Sequence, residues 1–434
     1  MSGGESNEAH PPRGDRARLR HFLSRATSAA IRGPIRTIRE PVRNFLLKFV
    51  KGYRVEIESA AILPVIAYEG RLPEPRTRCV VYGEAIVHVR GHPLSRNSST
   101  PESVHYVDHD VTAPSLVLEH PEPHFWFSRS GLLISSEGKI WPHSFSGHFK
   151  PDMVRTVKSV SVSNGPNGEK RRLFHPSLVK AAPRVEEPSL LIGLGESPNF
   201  GHFMLDSAPL IHLAAQIGAP MLSWPLKSWQ RDLCARLGVR EGQIRELPAR
   251  THLLRHPVVS NRLAGLGAYI AHPRSRDAFA TILANTPIER HGALPRRFYL
   301  MRGVRHGRAL RNRAELAAAL AARGVTAVQP ELLSIEEQIA LFARAELIVA
   351  EFGAALANVV FCSPRAKIVE IICEGQTDPW SSHLCGMLGL DHVVQFQQLS
   401  REELLAGAIR HDRPDQFAYT ADVAAICAAV VQLG

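Results

Sequence analysis

The run Arg297-Phe298-Tyr299-Leu300-Met301 opens the part of the chain that decides the fold, which extends to residue 374. Short apolar runs recur through this stretch and alternate with segments of helical periodicity. The runs predict strands at 297–301, 325–328, 347–350 and 367–372, and the intervening segments predict helices at 312–323, 334–345 and 353–361. Ser334 and Glu337 have the spacing of a capping box at the start of the middle helix. Strands joined by single helices form parallel sheets, so the pattern predicts a doubly wound α/β unit.

The same alternation extends upstream, in weaker form, to residue 188. It predicts a strand at 189–193, helices at 201–216, 227–237 and 275–285, and an extended run at 253–260. Residues 51–187 instead contain short runs of strand formers interrupted by proline and glycine, which is typical of a β-rich segment. Mixed charge with two prolines and a glycine marks a junction at 286–295. We therefore predict an N-terminal domain over 51–286 (β-rich at 51–187, α/β at 188–286) and a C-terminal Rossmann-like domain over 287–434.

Length and composition agree with this division. A chain of 434 residues exceeds the roughly 100–200 residues usual for one domain. Its six cysteines are scattered and contain no Cys-x-x-Cys pair, which favours a reduced, cytoplasmic protein over a disulfide framework or a zinc site. No charge-free apolar run approaches the roughly 20 residues that cross a bilayer. We expect neither a signal peptide nor a transmembrane anchor.

The positive charge is concentrated at the N-terminus. The formal net charge is +11, and residues 1–50 hold nine arginines and one lysine against four acidic residues. Apolar residues recur among these arginines at helical spacing, interrupted by Pro34 and Pro41. This leader suits peripheral contact with an anionic membrane surface, and it equally suits a partly disordered segment that docks on the body. No aromatic stacking set or reader motif accompanies the charge, so nucleic acid is not an expected partner.

One pair of chemically active residues lies in the helix predicted at 201–216. His202 and Asp206 are four residues apart, which places them on one face of a helix. A histidine held by a carboxylate is a base near neutral pH, and a desolvated carboxylate alone can also accept a proton. The alternative is a pair that only stabilises the start of the helix.

The loop after the strand at 297–301 is rich in arginine. Arg302, Arg305, Arg308 and Arg311 follow the strand, at the edge where ligands of such sheets bind. The guanidinium fork makes two charge-assisted hydrogen bonds to a diphosphate and stays charged. Arg302 is the first candidate and Arg308 the second, and a solvated basic loop accounts for the others.

A second candidate anion site follows the strand at 347–350. Gly353 lets the backbone pass close to a phosphate, and Ala354 leaves the first amides of the next helix uncovered. Any tight strand-to-helix turn of a Rossmann sheet uses similar residues, so the pattern alone does not separate the two interpretations.

Two blocks of this sequence resemble glycosyltransferase family 61, which includes bacterial capsule-type enzymes. The run Asn199-Phe200-Gly201-His202-Phe203-Met204-Leu205-Asp206-Ser207-Ala208-Pro209-Leu210 is similar to the family motif Asn-Tyr-x-His-Trp-x-x-Asp-x-x-Pro. The second block comprises Arg302, Asn312, Pro330-Glu331, Glu337-Gln338, Ala345, Gly353-Ala354-Ala355-Leu356-Ala357-Asn358 and Glu370. Two of the departures from the family pattern bear on the choice of donor. Phe352 stands where the loop motif Gly-x-His-Gly-Ala has histidine, and Arg313 stands where glutamate usually follows Asn312.

The resemblance implies a GT-B-like fold with two Rossmann-like domains, and an inverting glycosyltransferase that acts without a metal or other cofactor. His202 or Asp206 would be the catalytic base. The donor, a nucleotide-sugar, would contact Arg302, Arg308, Gly353, Ala354, Asn358 and Glu370. Glu370, inside a predicted strand, would accept from the ribose hydroxyls, with Glu374 as an alternative for that role and a structural salt bridge as the competing account.

The resemblance also implies a polysaccharide or glycolipid acceptor and a cytoplasmic enzyme, possibly one at the inner face of the membrane. The departures motivate an alternative, a non-catalytic relative that binds nucleotides or glycans. A third hypothesis is an unrelated α/β nucleotide-binding enzyme. A dehydrogenase is disfavoured because Gly193-Leu194-Gly195 lacks the third glycine of a dinucleotide site.

Residues 88–148 contain features that superficially suggest a metal. Asp108-His109-Asp110 matches the Asp-x-Asp motif of the other glycosyltransferase fold, and the pairs His105/His109 and His120/His124 have ligand-like spacing. No thiol or helix supports a metal site, and such short motifs arise by chance. We expect these side chains to be structural or on the surface.

Overall fold

The computed structural model describes residues 50–57, 63–95, 108–127, 131–144, 157, 159–192, 199–248, 250–261, 270–302, 309–373, 378–399, 409–410 and 413–434. Nearly all of the leader lies outside these ranges, as do Gly193 to Gly195, His105, Arg305, Arg308 and Glu374. The predictions made for those residues stay predictions.

A five-stranded parallel sheet, here the C-terminal sheet, forms from the stretch that decided the fold. Its strands lie in the order Thr326–Val328, Arg297–Leu300, Leu347–Glu351, Lys367–Cys373 and Asp391–Gln397. In chain order this is 2-1-3-4-5, a common doubly wound arrangement whose ligand crevice lies at the carboxyl ends of strands 1 and 3. The predicted parallel sheet with helical crossovers is confirmed.

Helices cover both faces of the C-terminal sheet. They are the α-helices Arg313–Ala321, Ile335–Ala343, Trp380–Leu388 and Val423–Leu433, and the 3-10 helices Pro330–Leu332 and Ala354–Phe361. The predicted capping box is present: the Ser334 hydroxyl accepts from the Glu337 amide at 3.2 Å, and the Glu337 carboxylate accepts from the Ser334 amide at 2.8 Å. One strand, Asp391–Gln397, was not predicted, because polar residues interrupt its apolar pattern. The fold buries them with partners; the Gln395 amide, for example, donates to the Leu94 carbonyl at 2.7 Å.

A seven-stranded mixed sheet, here the N-terminal sheet, organises the first half. Its strands lie in the order Ile244–Glu246, Met221–Ser223, Ser189–Leu191, Pro257–Ser260, Leu116–Glu119, Arg78–Tyr82 and Val65–Ile66. The first four are mutually parallel, and Leu116–Glu119 continues the sheet in antiparallel pairing. The crossover segments and the packing helices are Phe200–His202, Phe203–Ser207, Ala208–Gln216, Ser228–Arg236 and Ser275–Ala284. The alternation from residue 188 onward therefore does form parallel pairs.

The extended run predicted at 253–260 is in fact two strands in different sheets. Thr251–Leu254 pairs with His124–Phe127, and a bend at residues 255–256 leads into Pro257–Ser260 of the N-terminal sheet. Apolar pattern alone does not show this break, because both strands are apolar and only their partners differ.

The remaining described strands confirm the β-rich prediction for 51–187. A six-stranded sheet has the order Arg184–Val185, Thr251–Leu254, His124–Phe127, Leu132–Ile134, Lys139–Ile140 and Glu56–Ile57. Smaller sheets are formed by Tyr53–Arg54 with Lys170–Phe174 and Val160–Asn164, by Ala85–Val89 with His109–Ala113, and by Ala309–Leu310 with Arg413–Tyr419 and Ile409–Arg410. Short 3-10 helices lie at Pro142–Ser144, Pro176–Leu178 and Ile288–His291.

The two main sheets share one apolar core. A single cluster of buried side chains includes Phe279 and Ile282 from the first half and Phe342 and Phe361 from the second. Across the predicted junction, Arg236 donates to Glu336 at 2.5 Å. The segments that precede residues 286–295 therefore pack against the segments that follow them. The proposed domain boundary at this junction stays a prediction.

Two further observations concern the sequence-level expectations. Five of the six cysteines are buried, and none of the six forms a disulfide bond. In the described part of the chain, no helix combines the length and the hydropathy that a membrane crossing requires.

Candidate active site

The helical segment that follows strand Ser189–Leu191 carries the predicted acid–base pair. It begins at an N-cap, Asn199, whose side chain accepts from the Gly201 amide at 2.9 Å. Residues Phe203–Ser207 then form a π-helical segment, in which the Ala208 amide donates to the Phe203 carbonyl. Single π turns within α-helices occur frequently at functional sites. The Ser207 hydroxyl donates to the Ile192 carbonyl at 3.1 Å, which fixes this segment to the end of the strand.

His202 and Asp206 are in direct contact, as their spacing predicted. The distance from His202 Nδ1 to Asp206 Oδ2 is 3.0 Å, and the side chains are 16% and 5% exposed. When Nδ1 carries the proton, it donates to the carboxylate, and Nε2 is left with a lone pair. The more exposed imidazole is then the group that can take a proton from a bound hydroxyl, while Asp206 holds the ring and its tautomer.

Arg302 and Gly353 meet at the carboxyl ends of strands 1 and 3 of the C-terminal sheet. Arg302 Nη1 donates to the Phe352 carbonyl at 2.8 Å. A Cβ atom placed on Gly353 would lie only 2.2 Å from the same nitrogen. The backbone of Gly353 is extended (φ 166°), a conformation that any residue adopts. The reason for glycine at this position is therefore the close approach of the guanidinium, which a Cβ atom would block. Burial lowers the pKa of Arg302, and the nearby Glu351 opposes that effect, but an arginine stays charged under such conditions.

The two sequence motifs touch each other. Gly201, beside His202, lies against Ala354, the first residue of the 3-10 helix Ala354–Phe361. A Cβ atom placed on Gly201 would be 3.4 Å from Ala354 Cβ. The acid–base pair of the first half and the arginine–glycine contact of the second half are thus brought to one region of the molecule. The sequence placed each at the end of a strand but could not show that they are adjacent.

A buried carboxylate at this edge was missed. Glu351 is the last residue of strand 3, and it accepts from the Tyr299 hydroxyl at 2.6 Å and from Arg313 Nε and Nη2 at 2.8 Å each. Its side chain is 3% exposed. Burial first, and Glu351 second, raise the pKa of Tyr299. A charged residue that ends a fully apolar strand was the available signal, because such a group must find a partner when buried.

Two predicted donor contacts lie inside the protein. Glu370 is fully buried, where its Oε2 lies 2.9 Å from His392 Nε2 and accepts from the Ser381 hydroxyl at 2.9 Å. Asn358 is also fully buried, and its amide donates to Gln338 at 3.2 Å. Both side chains therefore join elements of the C-terminal sheet layer to one another. The partners that the fold provides for Glu370 are thus His392 and Ser381.

The Phe352 departure has a packing role. Its side chain is 5% exposed, and its ring packs against that of Trp380 in an edge arrangement with centroids 6.0 Å apart. The position that the resemblance associates with histidine is thus filled by an apolar contact to helix Trp380–Leu388.

The Asp108-His109-Asp110 segment lies in and beside the hairpin formed with Ala85–Val89. Asp108 accepts from the Gly91 amide at 2.8 Å, and Asp110 is paired with His88. The described residues contain no group of three or more histidine, cysteine or acidic side chains that could hold a metal ion. A cavity of about 240 Å³ lies next to this hairpin, lined in part by Arg90, Arg276 and His392, and it includes none of the predicted catalytic or donor-binding residues.

Comparison with known proteins gives one match. The family model described as glycosyltransferase 61 matches residues 200–369. This span contains both members of the acid–base pair and the whole Arg302, Glu351 and Gly353 region, and it ends one residue before Glu370. A search of curated proteins found no match.

Proposed function

Because residues 200–369 match the family model of glycosyltransferase 61, we propose that this chain is an inverting enzyme that transfers a sugar from a nucleotide-sugar to a hydroxyl of a polysaccharide or glycolipid. The observation that carries the proposal is the contact between Gly201 and Ala354. This contact brings together the segments that carry the proposed base and the proposed phosphate site, which supports a single displacement at the anomeric carbon.

In this mechanism His202 is the base and Asp206 orients it. The acceptor hydroxyl gives its proton to His202 Nε2 as its oxygen forms the new bond to the anomeric carbon. The bond from that carbon to the diphosphate oxygen breaks, and its electron pair leaves with the diphosphate. Attack opposite to the leaving group inverts the anomeric configuration.

The leaving diphosphate is stabilised by Arg302, by the start of the 3-10 helix at Ala354, and by Arg308 from the adjoining loop. Charge that develops in the transition state is met by groups already fixed in place. The uncovered amides beside Gly353 add to the guanidinium. A GT-B-like arrangement of two Rossmann-like domains, with the donor on residues 287–434 and the acceptor on residues 51–286, fits these positions. No metal ion is assigned a part in the reaction.

The basic leader motivates the proposed acceptor and location. A growing capsule-type polysaccharide or a glycolipid at the inner face of the membrane would give the basic leader a function, because each basic residue near anionic headgroups contributes about 1 kcal/mol. A leader-deleted protein that still sediments with anionic vesicles would contradict this role for residues 1–50.

The test is a panel of uridine, guanosine and cytidine diphosphate sugars, measured by thermal shift and by hydrolysis of the donor. We expect one class to stabilise the protein and to be hydrolysed slowly, and we expect His202→Asn to abolish turnover while the thermal shift persists. If the wild-type protein bound a donor without hydrolysing it, and Asp206→Asn bound it equally well, the result would instead support the non-catalytic relative suggested by Phe352. Absence of any binding would contradict the proposed function.

A further inference from the structure

Two of the positions at which this chain departs from the family motifs, Arg313 and Phe352, lie close to one buried carboxylate, Glu351. Arg313 replaces the usual glutamate after Asn312, and Phe352 replaces the histidine of the Gly-x-His-Gly-Ala loop. Glu351 immediately precedes Phe352 and receives both hydrogen bonds of the Arg313 fork, at 2.8 Å each. The residue that stands in place of the glutamate is therefore held at the same strand end as Phe352.

We propose that Arg313, held in place by Glu351 and Tyr299, is a second phosphate-binding residue of the donor site, beside Arg302. The inference rests on the proposed transfer from a nucleotide-sugar, and the ligand group concerned is the diphosphate. Glu351 and Tyr299 are positioning residues that act through Arg313.

The location of Arg313 supports this assignment. It is the first residue of helix Arg313–Ala321, which follows strand 1 of the C-terminal sheet, while Glu351 is the last residue of strand 3. These two strands enclose the point at which the strand order reverses, and ligands of doubly wound sheets bind at the carboxyl side of that point. Arg302 and Gly353 occupy the same edge.

Arg313 also retains hydrogen-bonding capacity. A guanidinium has five N–H donors. Arg313 Nε and Nη2 each donate to Glu351, and Tyr299 is a further hydrogen-bonding neighbour of the same group, so donors remain for a ligand. The side chain is 16% exposed, so it is partly accessible although its partner is almost fully buried. A planar guanidinium fixed along one edge directs its remaining nitrogen, which lowers the entropy lost when a phosphate oxygen binds.

Two guanidinium groups lie close together in this region. Arg302 and Arg313 act on each other electrostatically, and Glu351 and Glu331 both act on Arg302. Arg302 Nε is buried and has no hydrogen-bond partner among the described residues. A diphosphate would supply acceptors for both guanidinium groups.

A second Arg–Glu fork in the same chain provides a matched control. Arg231 donates to both oxygens of Glu246, at 2.8 Å and 2.7 Å, with geometry like that of Arg313 and Glu351. This pair belongs to the N-terminal sheet, and the Arg231 side chain is 54% exposed. Removing the Arg231–Glu246 pair tests whether the loss of any arginine–glutamate pair of this geometry is enough to change diphosphate affinity.

The experiment is calorimetric titration of the full chain with uridine, guanosine and cytidine diphosphates, with the corresponding nucleosides, and with inorganic pyrophosphate. The main variant is R313Q/E351Q, which leaves the net charge unchanged and avoids a buried, unpaired carboxylate. We expect the dissociation constant of the diphosphate bound by the wild-type protein to rise about tenfold or more. Affinity for the nucleoside alone, and for diphosphate in R231Q/E246Q, should not change.

Arg313→Lys keeps the test decisive if the double variant does not fold. A lysine retains the charge, but its single ammonium group cannot bind both oxygens of Glu351 and also donate to a phosphate in a fixed direction. We therefore expect diphosphate affinity to fall about threefold or more. If a folded Arg313 variant bound the diphosphate as tightly as the wild type, this inference would be wrong and the proposed function would stand. The same holds if R231Q/E246Q lost as much affinity as R313Q/E351Q. A wild-type protein that binds none of the diphosphates or their sugars would overturn the proposed function and this inference with it.

Discussion

The carboxyl edges of the two main sheets are built in different ways. At the edge of the N-terminal sheet, His202 and Asp206 are four residues apart on one helical segment, and their 3.0 Å contact follows from helical geometry. At the edge of the C-terminal sheet, Arg302 meets the carbonyl of Phe352 and Arg313 meets Glu351, so each contact joins distant parts of the chain. The proposed proton-transfer pair is thus local, whereas the proposed phosphate site is assembled by the sheet.

The largest effect should come from removing the local pair. His202→Asn deletes the proposed base, and we expect kcat to fall by about 100- to 10,000-fold. Since the substitution also removes the contact with the buried Asp206, the melting temperature is measured to confirm that the variant is folded. The measurement is a steady-state rate with the donor identified in the panel, with His212→Asn, on the same helical segment, as a control. A retained kcat would show that His202 is not the base.

A smaller effect is expected at the assembled edge. Gly353→Ala places a methyl group 2.2 Å from Arg302 Nη1, which must displace the guanidinium from the Phe352 carbonyl. We expect the KM for the donor to rise about tenfold, because a charge-assisted hydrogen bond is lost from the phosphate site. Gly292→Ala is the matched control, since its Cβ would lie 3.4 Å from the Arg344 guanidinium, an ordinary contact. An unchanged KM in Gly353→Ala would separate Arg302 from donor binding.

A third variant distinguishes two roles of one carboxylate. Glu370→Ala leaves His392 and Ser381 buried without their acceptor, and we expect the free energy of unfolding to fall by about 1–3 kcal/mol. The donor KM of the folded protein should be unaltered. Denaturant unfolding and kinetics measure the two quantities, with Glu346→Ala, from an exposed pair with Arg296, as the control. A higher KM at unchanged stability would instead support the predicted contact with the ribose.

The smallest effect concerns the junction between the two regions. His291 and then Arg236 hold the pKa of Glu336 below its ordinary value of 4.5. A carboxyl group with a lowered pKa in the folded state contributes stability above pH 4.5, and this contribution is lost as the pH falls through the lowered pKa. Glu336→Gln should therefore reduce stability at pH 7 by less than about 1 kcal/mol and weaken its dependence on pH below 4.5. If the free energy of unfolding of the variant changed with pH below 4.5 as steeply as that of the wild type, the prediction would be wrong.

Much of the fold could be predicted because its elements are marked locally. The capping box at Ser334 and Glu337 needs only residues three apart, and the apolar strands of the C-terminal sheet are buried on both faces, so they read as continuous runs. Strand Asp391–Gln397 was missed because its polar residues resemble those of a loop until their partners are known. The run at 253–260 was divided by its pairing partners rather than by its composition.

The candidate site divides in the same manner. The sequence indicated His202, Asp206, Arg302, Gly353 and Ala354, each by local spacing or by its position after a strand. It did not indicate Glu351, whose partner Arg313 precedes it by nearly forty positions. It also could not rank Asn358 and Glu370, since burial and a partner on another element decide whether such a group faces a ligand or supports the core.

The sequence by itself determined the α/β alternation, the acid–base spacing and the resemblance to family 61, because each depends on neighbours along the chain. Only the tertiary structure decided that Gly201 rests on Ala354, that Arg302 requires the glycine at 353, and that Arg313 is held by Glu351. These contacts depend on strand order and on packing between distant segments, and a one-dimensional pattern does not specify either.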